Sequence, residues 1–306
     1  MSLDTAAATV VLRDLTAKFD QAVTASTPFY PSVCNIIQSD GADEKYGWIG
    51  GMPGVKEFLG ERKFEQLRAA NYTLANKHWE SSLLISKNNL KDDRMGMYGP
   101  LLSNLGSEAA YHPDSLWFDA LVAGESEVCF DGQFFFDTDH TWGDSGTQDN
   151  DLTGAAATST IPTAAELKAA FHTMRTAMLK FKGDNGKFFH RPVIGRMSDL
   201  TLLVPPEFEL PAYEGLTAAI SGGGNTNVVI DAPKIVVSPY LTSAAKMYLF
   251  YTGGNLKPFV FQAREPLSRQ MKGLTDLETK DVKFMTEARY NVGYLAWWNA
   301  VLYTFT

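Results

Sequence analysis

Apolar residues near the start of the chain recur at helical spacing. Between residues 4 and 24 they fall three and four positions apart, with polar residues between them, which predicts an amphipathic helix. The apolar stripe comprises Val11, Leu12, Leu15, Phe19, Ala22 and Val23. Pro28 and Pro31 follow, and the residue before a proline disfavours the helical conformation. We expect the stripe to be buried either on its own domain or on a neighbouring subunit.

Glycine and proline interrupt the next stretch, from residue 41 to 60. Residues 61–67 and 72–86 then have the pattern of two strands joined at residues 68–71, although a helical face also fits part of the first. This hairpin would carry many charges and little apolar surface. Since an isolated hairpin is only marginally stable in water, we expect it to lie on another surface.

Residues 90–124 return to helical spacing. Asp92 and Asp93 are expected in a first turn, where negative charge suits the helix dipole. Pro100 is expected to kink this helix and remove one hydrogen bond. His112-Pro113-Asp114 is expected to interrupt it, with Asp114 capping a second helix that Gly124 ends.

Turn signals dominate the next segment. Asp131-Gly132 lies between two apolar runs, which predicts a hairpin over residues 127–136. Residues 141–159 are rich in Gly, Asp, Thr and Ser and predict a long surface loop.

The second half mixes helix and strand patterns. Thr163 and Glu166 form a capping-box pattern that opens a helix to about Lys182. Strands are predicted at 200–204, 228–230, 234–237, 247–251 and 258–263, with a short helix near 206–218 and a glycine loop at 222–224. Residues 282–292 alternate like a half-buried strand, and after Gly293 both faces become apolar, which predicts that both are covered. The fold class is therefore α+β.

Charge and composition exclude several classes of protein. The net charge of −8 repels nucleic acid overall, so we expect any contact with DNA to be weak and independent of sequence. The most apolar stretch, residues 294–305, is shorter than the ~20 residues that span a bilayer, and no signal-peptide pattern precedes residue 24. Cys34 and Cys129 are too few for a disulfide framework, and we expect both to be buried and reduced.

The search for catalytic chemistry is nearly empty. Asp137, Asp139 and His140 could hold a metal ion, but the same residues serve as turn formers after an apolar strand, and we favour that interpretation. Trp297 and Trp298 could stack a ligand, although in an apolar strand they are more often core or interface. We therefore expect no catalytic residue, no metal and no cofactor, and a role carried by surfaces.

Several motifs in order resemble one known family. They are YGWIG at residues 46–50, KEFLGER at 56–62, YTLANK at 72–77, the run CFDGQ through FFD to His140 at 129–140, and ARYNVGY at 288–294. Together they resemble the major head subunit family of Mu-like phages. The matches are dense from about residue 46 to 140, sparse in the middle, and return near residue 290.

The resemblance implies the Hong Kong 97-type capsid fold. Residues 1–40 would be an N-terminal arm and 41–86 an extended loop lying on a neighbouring subunit. Residues 87–124 and 255–306 would form the peripheral domain with its spine helix, and 125–254 the axial domain. Pro100 and Pro113 put an uninterrupted spine helix in doubt.

The implied function is structural. The chain would self-assemble as hexamers and pentamers into the icosahedral head of a tailed Mu-like phage, formed in the host bacterial cytoplasm and enclosing double-stranded DNA. Scaffold, protease, portal and decoration proteins would be separate chains. The expected subunit contacts of the extended loop are Trp48, Pro53, Phe58, Arg62, Phe64, Leu67 and Tyr72. The alternatives are the shell of a cellular compartment and, less favoured, a metal-dependent hydrolase.

Overall fold

The structure is a computed structural model that describes residues 5–49, 60, 69–86, 96–190, 197–217, 220–221, 225–226, 232–272 and 281–306. The helices in these ranges are α1 (Thr5–Ala25), α2 (Tyr30–Val33), α3 (Tyr98–Ala123), α4 (Ala164–Lys180) and α5 (Glu209–Leu216). The strands are β1 (Cys34–Gln38), β2 (Asp43–Ile49), β3 (Ala69–Ala75), β4 (Lys77–Ile85), β5 (Asp151–Gly154), β6 (Leu200–Val204), β7 (Ile220–Ser221), β8 (Asn225–Thr226), β9 (Lys234–Val237), β10 (Lys246–Tyr251), β11 (Phe259–Lys272), β12 (Val282–Tyr294) and β13 (Ala300–Phe305). This mixture confirms the α+β class.

Two sheets organise the chain. The first has four strands in the order β1-β11-β12-β4, with β1 parallel to β11 and the other pairs antiparallel. The second has five strands in the order β5-β13-β10-β6-β9. In both sheets, strands far apart in the sequence lie side by side, so the fold depends on long-range pairing.

The predicted N-terminal helix forms, and its stripe is buried on its own chain. Leu15 and Phe19 of α1 pack with Leu102 of α3 and with Phe284 of β12. The rings of Phe19 and Phe284 lie 5.1 Å apart. A Cβ added at Gly106 would lie 2.6 Å from the carbonyl oxygen of Phe19, so the close approach of α1 and α3 depends on this glycine. Of the two possibilities for the stripe, the structure selects the chain's own domain.

The predicted break in the long helix is wrong. α3 runs from Tyr98 to Ala123 through Pro113 without interruption, and Gly124 caps it as predicted. Pro100 lies in the first turn of α3, where no intrahelical hydrogen bond is lost, so the kink expected there is also wrong. Pro113 costs one bond, but Leu102 on one side of it and Trp117 on the other are fully buried. This packing outweighs the ~3 kcal/mol that an interior proline costs.

Asp114 does not cap a helix of its own segment, as the sequence predicted. Its carboxylate accepts hydrogen bonds from the backbone N–H groups of Phe29, at 2.8 Å, and Tyr30, at 2.6 Å. It therefore satisfies the start of α2 from the middle of α3, and ties the segment after α1 to the long helix.

The strands predicted within residues 61–86 pair with different partners from those expected. Residues 69–71, expected in a turn, belong to β3, which pairs antiparallel with β2 so that Asp43 faces Ala75 and Ile49 faces Ala69. The run 72–86 is two strands with Asn76 between them, and β4 pairs with β12 in the first sheet. Residues 61–67 lie outside the described residues.

The region between the long helices is more ordered than predicted. A tight turn forms at Asp131-Gly132 with φ +89° at Gly132, but its flanks share a single bridge, between Val128 and Phe134, rather than forming strands. The expected surface loop at 141–159 contains β5, which pairs parallel with β13. α4 forms with the predicted capping box, and its apolar face is buried over the second sheet.

The last predicted element is two strands rather than one. β12 alternates between buried and exposed positions up to Tyr290 and lies in the first sheet. The chain then passes through a short 3-10 turn at Trp297–Asn299 and continues as β13 in the second sheet. Both faces are covered, as predicted, because here the chain crosses between the sheets.

Several predictions hold and others fall on residues outside the described ranges. The strands at 200–204, 234–237 and 247–251 are confirmed, that at 258–263 extends to Lys272, and the helix near 206–218 is a short 3-10 turn followed by α5. Asp92, Asp93, the strand at 228–230 and the glycine loop at 222–224 lie outside the described residues. None of the helices described is long and apolar enough to cross a membrane.

Candidate functional site

The three residues considered as a metal site, Asp137, Asp139 and His140, have separate hydrogen-bond partners. Asp137 accepts hydrogen bonds from the backbone N–H groups of Phe134 and Thr138. The Oδ1 atom of Asp139 accepts one from the Nε2 of Gln133 at 2.9 Å. Both carboxylates therefore stabilise the local turns, which is the interpretation the sequence favoured.

His140 turns inward to a different set of partners. Its Nδ1 lies 2.7 Å from Oδ2 of Asp131, and both side chains are fully buried. The other oxygen of Asp131 accepts from the Sγ of Cys129 at 2.9 Å and from the backbone N–H of Gln133 at 3.2 Å. Among the described residues, Cys129, Asp131 and His140 form the group of three potential metal-ligand atoms that lie within 4.8 Å of one another.

Asn150 closes this cluster on the opposite side of the ring. Its Oδ1 lies 3.2 Å from Nε2 of His140 and accepts from the backbone N–H of Asp137 at 2.9 Å. Its Nδ2 donates to the carbonyl oxygens of Phe135, Trp297 and Ala300. One buried amide thus joins the turn after residue 134 to the crossing between the two sheets.

Trp297 covers the face of the His140 ring. The two rings are parallel within 7° and their centroids are 4.0 Å apart. Trp298 is stacked in the same way on Phe189, at 3.9 Å. Both tryptophans are buried, so the structure confirms that they belong to the core of this chain rather than to an exposed stacking surface.

The two cysteines are buried and free, as predicted. Burial raises the pKa of Cys34 well above its usual value. The pKa of Cys129 is raised by burial and by the carboxylate of Asp131. Because the thiolate is the reactive form, neither thiol is suited to act as a nucleophile at neutral pH.

The expected loop contacts fall into two groups. Tyr72 is half-buried in its own chain, where its hydroxyl oxygen accepts from the backbone N–H of Tyr294 at 3.3 Å. The backbone of Trp48 lies in β2 opposite Ala70. The remaining expected contacts lie outside the described residues, namely Pro53, Phe58, Arg62, Phe64 and Leu67.

Apolar side chains are exposed at both edges of the first sheet. Ile36 on β1 is 58% exposed, and Leu84 on β4 is 61% exposed. Since sheet edges also present unpaired backbone groups, these strands are suited to contact another chain.

The family model for the Mu-like prophage major head subunit gpT matches residues 9–161, which is half of the chain. The chain belongs to this family. The resemblance read from the motifs at residues 46–140 is thereby confirmed. A second model, for phage capsid protein, matches residues 137–301. The family is one of structural head subunits, not of enzymes.

Curated relatives are similar over part of their length. The Mu-like prophage FluMu major head subunit of Haemophilus influenzae is 39% identical over 114 residues, 37% of each chain. The major capsid protein of Escherichia phage Mu is 38% identical over 111 residues, 36% of each chain. The aligned segments span little more than a third of these relatives.

Solved structures share the fold over nearly the whole chain. The procapsid protein of bacteriophage JBD30 has a TM-score of 0.56 and 24% identity, over 98% of this chain and 76% of that one. The capsid of cyanophage P-SCSP1u has a TM-score of 0.62 and 11% identity, over 92% and 89%. A virus-like particle from Pyrococcus furiosus has a TM-score of 0.56 and 13% identity, over 95% and 98%. These likenesses confirm the Hong Kong 97-type fold.

Sequence reasoning missed two members of the buried cluster. Asp131 was recognised only as a turn residue, because Asp-Gly is a sufficient signal for a turn by itself. Asn150 lies in a polar stretch whose composition indicates a loop, and no local pattern distinguishes it from its exposed neighbours. Its partners at Phe135 and Ala300 are distant in sequence and become visible only in the fold.

Proposed function

We propose that this chain is the shell subunit of a Mu-like phage head, and that it assembles with copies of itself around double-stranded DNA. The observation that carries the proposal is the family match over residues 9–161 on a chain that has the capsid fold. In this proposal the protein is a component of the virion and is assembled in the host bacterial cytoplasm.

The charge of the chain supports this role. A net charge of −8 disfavours tight binding to DNA phosphates, which suits a container whose contents enter and leave. The exposed apolar side chains at the edges of the first sheet, Ile36 and Leu84, would be covered by neighbouring subunits.

The extended loop is proposed as the neighbour-contacting element. β2 and β3 anchor its base on the first sheet, because the Tyr46 hydroxyl donates to Oε1 of Gln262 at 2.8 Å. The residues between these strands include Arg62 and Phe64 and would reach a second subunit. Tyr72 would contribute by fixing the base.

The domain division is proposed with one adjustment. Residues 1–40 would be the arm, 41–86 the loop, 87–124 with 255–294 the peripheral domain, and 125–254 the axial domain. β13 pairs with β5 and β10 in the second sheet, so residues 300–305 belong with the axial strands in this division. The uninterrupted α3 would be the spine helix.

Further partners follow from the same proposal. Hexamers and pentamers would form the shell, and scaffold, protease, portal and decoration proteins would act as separate chains. The capsid of bacteriophage JBD30 has been solved decorated with minor capsid protein trimers. A compartment shell of the same fold that encloses an enzyme is the alternative, and the contents of purified particles distinguish the two.

The first experiment replaces residues 61–68 with glycine and serine in equal number. We expect a folded subunit, with the melting curve of the parent, that no longer builds closed shells in negative-stain electron microscopy. The matched control is Ile161→Ser, which changes an apolar residue that is 65% exposed in another loop and should leave shells intact. Normal shells from the loop replacement, or equal loss in the control, would contradict the neighbour-contacting role.

A further inference from the structure

The environment of His140 defines the charge of its ring. The amide of Asn150 can point only one way, because its Nδ2 faces the carbonyl oxygens of Phe135, Trp297 and Ala300, and its Oδ1 faces the backbone N–H of Asp137. A flipped amide would place its oxygen against three other oxygens and its N–H groups against another N–H. The atom facing Nε2 of His140 is therefore a hydrogen-bond acceptor.

The other ring nitrogen also faces an acceptor. Nδ1 lies 2.7 Å from a carboxylate oxygen of Asp131, whose second oxygen already receives the thiol of Cys129 and the N–H of Gln133. Beside an ionised Asp131, a neutral imidazole with one N–H and one lone pair would leave that lone pair pointed at Oδ1 of Asn150 or at the carboxylate. The alternative, a proton carried by Asp131 and donated to a neutral ring, gives the ring one N–H instead of two, so counting the ring protons distinguishes them. With both nitrogens protonated, each contact becomes a hydrogen bond.

The surroundings stabilise a positive ring. Trp297 is stacked on it at 4.0 Å, and a cation over the face of tryptophan is attracted by the ring quadrupole. Asp131 places a fully buried carboxyl group 2.7 Å from Nδ1 of the ring. The thiol of Cys129 stays protonated and neutral. The aromatic ring of Phe181, the residue that follows α4, packs against Trp297 and adds no charge.

His190 provides the contrasting environment within the same core. Its Nε2 lies 3.3 Å from a single acceptor, the carbonyl oxygen of Trp298, and its ring meets Tyr251 edge-on. Burial lowers the pKa of His190. No carboxylate contact is recorded for it among the described residues, so a neutral ring satisfies this site.

The distances also distinguish a proton-bridged cluster from a metal site. A metal ion bound at ~2.0–2.3 Å to nitrogen, oxygen and sulfur holds its ligand atoms more than ~3 Å apart. Here the nitrogen–oxygen and sulfur–oxygen separations are 2.7 and 2.9 Å, which are hydrogen-bond lengths. The cluster is therefore bridged by protons between His140, Asp131 and Cys129 rather than by a metal ion.

We infer that His140 is held as an imidazolium ion, clamped between the Asp131 carboxylate, the Asn150 amide oxygen and the face of Trp297. This fixed charge joins the turn at residues 129–133 to the crossing that carries the chain from the first sheet to the second. The ring positions these two segments relative to each other. Its partners all belong to this chain, and both of its nitrogens are used in these contacts, so neither is left for a ligand.

Nitrogen-15 NMR of the histidine rings in the unassembled subunit at pH 7 tests the inference directly. We expect His140 to show protons on both ring nitrogens and His190 to show a proton on one. In Asp131→Asn, His140 should lose one of its ring protons while His190 is unchanged. A neutral ring at His140 in the parent protein would overturn the inference, whether or not the variant folds.

Two further measurements separate the alternatives. Addition of Zn²⁺ to the chelator-treated subunit should leave the Nδ1 proton in place, and its displacement by zinc would favour a metal site instead. A double-mutant cycle of Asp131→Asn and His140→Gln, read from urea unfolding, should give a coupling of about tenfold or more in the unfolding equilibrium constant. Additive effects would contradict the clamp.

Discussion

The two sheets of this subunit bury their strands in different ways. β12 in the four-stranded sheet alternates between buried and exposed positions up to Tyr290, while every residue of β6 in the five-stranded sheet is buried. α1 and α3 pack against the first sheet, where Phe19 meets Phe284, and leave part of it to solvent. α4 and α5 add to the cover of the second. The central strands of the second sheet are therefore buried on both faces. The first sheet keeps exposed side chains on one face, where another chain can lie.

Alanine substitutions along one strand of each sheet should give the largest changes in stability and therefore test this difference most directly. Leu249 and Phe250 of β10 are adjacent and both fully buried, so each truncation should cost ~2–5 kcal/mol of unfolding free energy. In β12, Phe284→Ala should cost a similar amount, but the exposed Glu287 should tolerate alanine within ~0.5 kcal/mol. Urea unfolding of the unassembled subunit measures all four. Equal costs along β12 would remove the distinction between the sheets.

A carboxyl at the margin of the second sheet gives a smaller, pH-dependent effect. Burial, and to a smaller extent the nearby carboxylate of Glu125, raises the pKa of Asp151 from 3.8 to about 6. The folded state therefore binds this proton more tightly than the unfolded state. The stability that the group contributes is complete below pH 3.8 and is lost as the pH rises through about 6.

Asp151→Asn should accordingly be more stable than the parent at pH 7 and indistinguishable from it near pH 4. Urea midpoints measured across this range test the sign. Glu209→Gln, a change at an exposed carboxyl of α5, is the control and should give parallel curves. A parent protein whose advantage over Asp151→Asn grows with rising pH would reverse the assignment.

The smallest expected change in stability is at the edge of the first sheet. Leu84→Ser alters a side chain that is 61% exposed, so the free energy of unfolding should change by less than ~0.5 kcal/mol. If this edge contacts a neighbouring subunit, the yield of closed shells should nevertheless fall. Particle counts by electron microscopy, compared with Leu256→Ser at a leucine that is 45% exposed outside the strands, measure this effect.

Local patterns were sufficient where one segment determines its own structure. The capping box at Thr163 and Glu166 starts α4 as predicted, because both hydrogen bonds lie within four residues. The alternation in β12 likewise records which face is buried. These features needed no knowledge of distant parts of the chain.

The sequence-based predictions that were wrong share one physical cause, which is packing between segments that are distant in the sequence. Pro113 does not break α3, because buried side chains on both sides of it hold the helix in place. β2 and β3 pair across residues 50–68, which no local signal indicates. The buried cluster was missed for the same reason, since the carbonyl partners of Asn150 lie 15 to 150 residues away in the sequence.

The order of strands in the two sheets also sets when folding can be completed during synthesis. β12 lies between β11 and β4 in the first sheet, and β13 lies between β5 and β10 in the second. A nascent chain that has not yet reached residue 282 lacks an inner strand of both sheets. Neither sheet can close on the ribosome before residues 282–305 emerge, and such long-range pairing folds slowly. Both sheets are therefore completed only after nearly all of this sequence has been made.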